Sequence, residues 1–83
     1  MKMSVEERMI RIISEVLGVE PEKITMDSNF VEDFGVESID TIEMVAAAEE
    51  EFDLDVPLED AEKNTTVGKT IEYVKMRLAE REG

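Results

Sequence analysis

Residues 4–18 carry the strongest folding instruction in this chain of 83 residues. Ser4-Val5-Glu6-Glu7 has the form of a capping box. In that motif the serine oxygen accepts from the amide three residues on, and the glutamate reaches back. At about 100° per residue, Val5, Met9, Ile12, Ile13, Val16 and Leu17 fall on one side of a helix. Gly18 follows, suited to the left-handed residue that ends it. A second stripe lies near the other end. Val67, Ile71, Val74 and Leu78 are spaced four, three and four within a segment running from about Val67 to Glu80. Both segments are predicted to be structural helices.

The connection from Gly18 to Glu37 is long for so small a chain. It holds Pro21, Ile24, Phe30, Phe34 and Gly35, and its two phenylalanines are expected to anchor it on a core, with a short helical turn over Phe30–Phe34. A third periodic segment follows, from about Ile39 to Phe52. One side of it carries Thr41, Met44, Val45, Ala48 and Phe52, a normal core face. The other carries Ile39, Ala46 and Ala47 beside Glu43 and Glu50, with Ile42 at the margin. Two readings of that second side stand open. An apolar patch rimmed by charge marks a partner surface, whereas single exposed apolar residues are ordinary.

Charge narrows the function classes. The chain has 22 acidic and 9 basic residues and a net charge of −13, with no His and no Cys. Phosphates need Lys and Arg, so nucleic acid is an improbable partner, and anionic membranes are too. No apolar run is long enough to span a bilayer, and the first residues lack the apolar region of a secretory signal. Without Cys there are no disulfides, thiolates or common zinc sites; without His the usual general base is missing. An enzyme is therefore not expected. Fourteen acidic residues and no cation lie between Ile24 and Glu62. Simple solubility accounts for acidity but not for its segregation, which points to steering toward basic partners. Asp27-Ser28-Asn29-Phe30-Val31-Glu32 starts like a calcium loop but lacks the third ligand and the glycine at position six. No specific metal site is predicted.

The segment Asp33-Phe34-Gly35-Val36-Glu37-Ser38-Ile39-Asp40-Thr41-Ile42-Glu43-Met44 resembles the Asp-Leu-Gly-x-Asp-Ser-Leu-Asp-x-x-Glu-Leu motif of acyl carrier proteins. Ile24–Ser28 and Phe30–Asp33 upstream, and Glu49–Asp53, Ala61–Lys63 and Thr65–Val67 downstream, are similar to the same family in the same order. The resemblance points to the free-standing carriers of type II fatty acid synthesis. The resemblance implies an all-α four-helix bundle, with three main helices and a short third one, forming a single domain over residues 1–83. It implies that Ser38 is the attachment site of 4′-phosphopantetheine, transferred from coenzyme A by a holo-acyl-carrier-protein synthase using magnesium. It also implies a recognition helix that meets fatty acid synthesis enzymes through their basic patches. Glu37, Ile39, Asp40, Ile42, Glu43, Ala46, Glu49 and Glu50 are the recognition candidates. Val45, Ala48, Phe52, Ala61, Val67 and Ile71 are candidates for lining an acyl pocket. A cytoplasmic monomer is expected, or one in an organelle matrix if the chain is a processed form.

The residues themselves agree in part. A thioester carrier without cysteine must import its thiol. Ser38 falls at a loop-to-helix junction, where unpaired amides and the helix dipole favour a phosphate. Serine at such a junction is also a common N-cap, and the two roles are compatible. Gly35 is either a device that leaves the serine uncrowded or a plain turn glycine. The chain departs from the family pattern at Glu37 for Asp, at Ile39 for Leu, at Ala46 and Ala48, and at Asn64, which stands where an apolar residue is common. Asn64 either faces the interior or caps the short helix in a left-handed conformation. These departures leave open a specialised carrier for polyketide, lipid A or another secondary pathway. An unmodified, carrier-like interaction subunit is the alternative from another class.

Overall fold

The Ser4 capping box forms as its sequence requires. In a computed structural model that describes residues 3–82, Ser4 Oγ accepts from the Glu7 amide at 3.1 Å. Glu7 Oε1 accepts from the Ser4 amide at 3.0 Å. These bonds hold the Glu7 carboxyl below the usual glutamate range. They open α1, Val5–Leu17, which Gly18 ends at φ 69°. Met1, Lys2 and Gly83 lie outside the described residues, and with them part of the stretch on which the absence of a leader was read.

Four more helices follow: α2 Phe30–Phe34, α3 Ser38–Phe52, α4 Leu58–Lys63 and α5 Val67–Glu82. A single 3₁₀ turn, Pro21–Lys23, breaks the first connection. The described residues form no strand, so the fold is the expected all-α bundle, with α2 as the short helical turn anticipated inside the long loop. The α1 helix packs on α3 and α5, and α4 packs on α3. The core joins Met9, Ile12 and Ile13 of α1 to Met44, Ala48 and Phe52 of α3 and to Val67, Ile71 and Val74 of α5. Ile24 and Phe30 complete it from the loop, and Phe34 packs on its edge. Ala47 corrects the helical reading: it lies half-buried against the core and not on the outer side with Ile39 and Ala46.

Main-chain bonds stitch the loop to the start of α5. Phe30 N–H donates to Thr65 O at 3.1 Å, Val67 N–H to Ser28 O at 3.0 Å, and Gly68 N–H to Met26 O at 2.9 Å. A Cβ on Gly68 would stand 3.0 Å from Met26 O, so a side chain there would push the two backbones apart by a few tenths of an ångström. The far end of α3 is closed by arginines from its neighbours. Arg8 donates to Glu51 O at 2.8 Å, and Arg81 to Phe52 O at 3.1 Å and Asp53 O at 2.6 Å. The last turn of α3 has no cation of its own, so α1 and α5 supply the charge that its carbonyls favour.

Candidate functional site

Three residues, Gly35, Val36 and Glu37, separate α2 from α3 and fix where Ser38 falls. Gly35 closes α2 at φ 63°, with its amide shared between Phe30 O and Val31 O. A Cβ there would meet nothing within 4 Å, so the glycine answers to backbone conformation and not to crowding of the serine. Val36 turns inward, bonded to Phe30 O at 3.1 Å and packed against the core. The register then gives Glu37 the N-cap position and makes Ser38 the first helical residue. This corrects the reading of Ser38 as the cap. The Asp40 carboxylate, one turn on, accepts from the Glu37 amide at 2.9 Å.

Ser38 is exposed. Its hydroxyl takes part in no hydrogen bond with the described residues, and the amides of Ser38 and Ile39 have no acceptor among them. Free amides at the positive end of a 15-residue helix favour an anion beside that hydroxyl. Ser38 also stands on the edge of a cleft of about 400 Å³ between α3, α4 and α5, within the ~300–1,000 Å³ range of small-molecule pockets. Met9, Phe30, Met44, Val45, Ala48 and Val74 give it an apolar wall. Ala61 and Asn64 face it from α4 and the residue after it, and Thr70 and Tyr73 from α5.

Of the six residues proposed for an acyl pocket, Val45, Ala48 and Ala61 line this cleft. Phe52, Val67 and Ile71 do not; they are buried in the core beyond its wall. Val36, Thr41, Thr70 and Tyr73 line it without having been anticipated, because their positions depend on how the helices meet. Asn64 follows α4 as its C-cap, but at φ −87° and not in the left-handed conformation. It is half-buried and lines the cleft.

Tyr73 ties the cleft wall together. Its hydroxyl donates to Asp60 of α4 at 2.7 Å and accepts from Arg77 at 2.7 Å. Burial first, and then the Asp60 bond, push that hydroxyl above the ordinary tyrosine range, with Arg77 opposing.

The recognition candidates divide. Ile39 is 63% and Ile42 53% exposed, with Glu37, Glu43, Ala46 and Glu50 also in solvent. Asp40 is half-buried and accepts from the Glu37 amide. Glu49, near the end of α3, braces the α3–α4 connection: its carboxylate accepts from Val56 N–H at 2.9 Å. Among the described residues no group of three or more carboxylates is placed to hold a metal ion.

Residues 7–74 match the protein family described as a phosphopantetheine attachment site. The chain belongs to that family. The prosthetic group of this family is 4′-phosphopantetheine, and its members are carrier domains, not catalysts. They interact with a phosphopantetheinyl transferase and with the enzymes they serve. The match spans every element from α1 into α5, and so encloses Ser38 and the cleft beside it. An exposed, uncommitted hydroxyl, a helix end that favours phosphate and an adjoining apolar cleft fit such a group.

Proposed function

We propose that the chain is an acyl carrier protein of dissociated, type II fatty acid synthesis, with Ser38 bearing the 4′-phosphopantetheine. One observation carries the reading: the free Ser38 hydroxyl stands at the first turn of α3 and at the edge of an apolar-walled cleft. The prosthetic group supplies the thiol that this cysteine-free chain lacks and holds acyl groups as thioesters. The chain's own residues do the rest. Ser38 Oγ would lose its proton as it bonds to the pantetheine-side phosphorus of coenzyme A, the pyrophosphate bond breaking and adenosine 3′,5′-bisphosphate leaving, and the open end of α3 favours the phosphate that stays. The cleft shelters the acyl chain from water. Ile39, Ile42 and Ala46, rimmed by Glu43 and Glu50, form an apolar patch with a negative border for enzymes that present basic surfaces. Residues 1–83 form one domain, acting as a monomer in the cytoplasm or an organelle matrix.

Intact-protein mass after incubation with coenzyme A, magnesium and a holo-synthase tests the assignment. The wild type gains one phosphopantetheine and Ser38→Ala gains none. A mass gain in Ser38→Ala overturns the site, and no gain in the wild type favours an unmodified interaction subunit. A specialised carrier is the second reading, favoured by the polar Asn64 in the cleft wall.

A further inference from the structure

We propose that Asn64 makes this carrier select acyl groups bearing a hydroxyl or keto oxygen over fully saturated ones. The inference rests on the carrier reading above and concerns the occupant of the same cleft. Most polar groups in the cleft wall are already committed. Thr70 Oγ1 donates to Thr66 O at 3.1 Å, and Thr41 Oγ1 to Glu37 O at 3.4 Å. The Tyr73 hydroxyl is used in both directions, toward Asp60 and from Arg77. Glu37 and Glu62 can only accept when ionised. Asn64 differs. It is half-buried on the wall, and its side-chain amide makes no hydrogen bond with the described residues.

That amide brings two N–H donors and a carbonyl acceptor. Solvent satisfies them while the cleft is open. A saturated chain lying against Asn64 displaces that water and offers no partner, leaving buried polar atoms unpaired. An oxygen on the chain accepts from the amide, and a hydroxyl can also donate to it. A site built around such a bond rejects the analogue lacking it more strongly than an apolar pocket rejects an added oxygen. The expected discrimination is about tenfold.

The test uses holo-protein loaded with octanoyl, 3-hydroxyoctanoyl or 5-hydroxyoctanoyl groups, with loading verified by intact mass. Thioester cleavage by hydroxylamine is timed for each and divided by the rate for the corresponding free pantetheine thioester. At least one hydroxyacyl form should be protected about tenfold more than octanoyl, and Asn64→Leu should reverse that order. In the wild type, the Asn64 side-chain amide resonances should move with the protected hydroxyacyl group more than with octanoyl, a readout independent of how the variant folds. Equal or greater protection of octanoyl in the wild type, with unmoved Asn64 resonances, overturns the inference and leaves the carrier reading intact. Failure to gain phosphopantetheine overturns both.

Discussion

Arg8 of α1 reaches Glu51 of α3, 43 residues along the chain, with Nε 2.7 Å from the carboxylate and its guanidinium 4.5 Å from the centre of the Phe52 ring. One side chain thus neutralises an acid of the cation-free stretch, caps the end of a helix and covers a core aromatic. The pair is partly exposed, at 32% and 43% for the two side chains, so its Coulomb contribution is small. Its value lies in combining it with the ring contact and the carbonyl bond. Arg8→Met, which keeps an apolar stem, should lower stability by about 1 kcal/mol. Arg8→Lys should recover only part of this, because an ammonium lacks the planar fork. Thermal melts of the three proteins decide it; equal melting temperatures would show that Arg8 only decorates the surface.

Ser38 and Asp40 should separate cleanly in stability. The N-cap role belongs to Glu37, with Asp40 bonded back to its amide at 2.9 Å. Asp40→Ala should therefore cost about 1 kcal/mol. Ser38→Ala, which removes a hydroxyl without a partner, should stay within about 0.5 kcal/mol of wild type. Urea unfolding followed by circular dichroism measures both, and a larger loss for Ser38→Ala would restore the serine as the cap.

Tyr73 is the only tyrosine of the chain, so phenolate absorbance reads it alone. Its hydroxyl is held above the ordinary range by burial and by the bond to Asp60. A group whose folded pKa is raised contributes stability in full below its unfolded pKa, about 10 for tyrosine. That contribution is lost as pH rises through the folded value. Wild type should therefore weaken above pH ~10 more than Tyr73→Phe does. At neutral pH the variant should be less stable by about 1 kcal/mol, having released Asp60. Parallel alkaline declines in the two proteins would mean that the α4–α5 tie contributes nothing to the pH dependence.

The exposed face of α3 should act through association rate. Glu43 and Glu50 lie in solvent beside Ile39, 63% exposed, and Ala46. Charges at the rim of a patch change on-rates and salt dependence more than stability. The double variant Glu43→Lys, Glu50→Lys should bind a basic synthase at least tenfold more slowly at low salt, with little change in melting temperature. Stopped-flow association against salt concentration checks it, and unchanged kinetics would move recognition to another surface.

What the sequence could show was what depends on near neighbours. The Ser4 box, the Gly18 stop, the α1 and α5 stripes and the turn over Phe30–Phe34 are all written in residues a few positions apart. The Ser38 motif was legible for the same reason. Who caps α3 was not, because it depends on a register set by Gly35 and the inward turn of Val36, not on serine's preference for caps. Ala47 packs against the core, and how wide a face α3 buries depends on the helices that meet it and not on its own periodicity. The cleft is assembled from residues of all five helices, so Tyr73 and Thr70 could not be assigned to it from the α5 stripe. The same stripe holds Val67 and Ile71, yet the packing of α5 sends these two to the core and not to the cleft.

The acidic stretch sets the response to salt. The fold brings cations to only part of it: Arg8 meets Glu51, and Arg81 lies 3.7 Å from Asp53, both at the same end of α3. No such pair involves Glu37, Asp40, Glu43 or Glu50 among the described residues. These carboxylates repel more in the folded state than in the expanded chain. Raising salt from 0.01 M to 0.1 M shortens the Debye length from about 30 Å to about 10 Å. That weakens the repulsion along the whole helix, while the ion pairs at its end are short-ranged and partly covered. Stability should therefore rise with salt. Magnesium should raise it further than sodium at equal ionic strength, because one ion can bridge neighbouring carboxylates. No group of three or more carboxylates is placed to hold an ion among the described residues, so the affinity expected is millimolar. Thermal unfolding in dilute buffer, with sodium chloride and then magnesium chloride at matched ionic strength, measures both effects. A melting temperature that falls with sodium would mean that Arg8 and Arg81 outweigh the repulsion, and that the bare carboxylates of α3 impose no strain for partners to relieve.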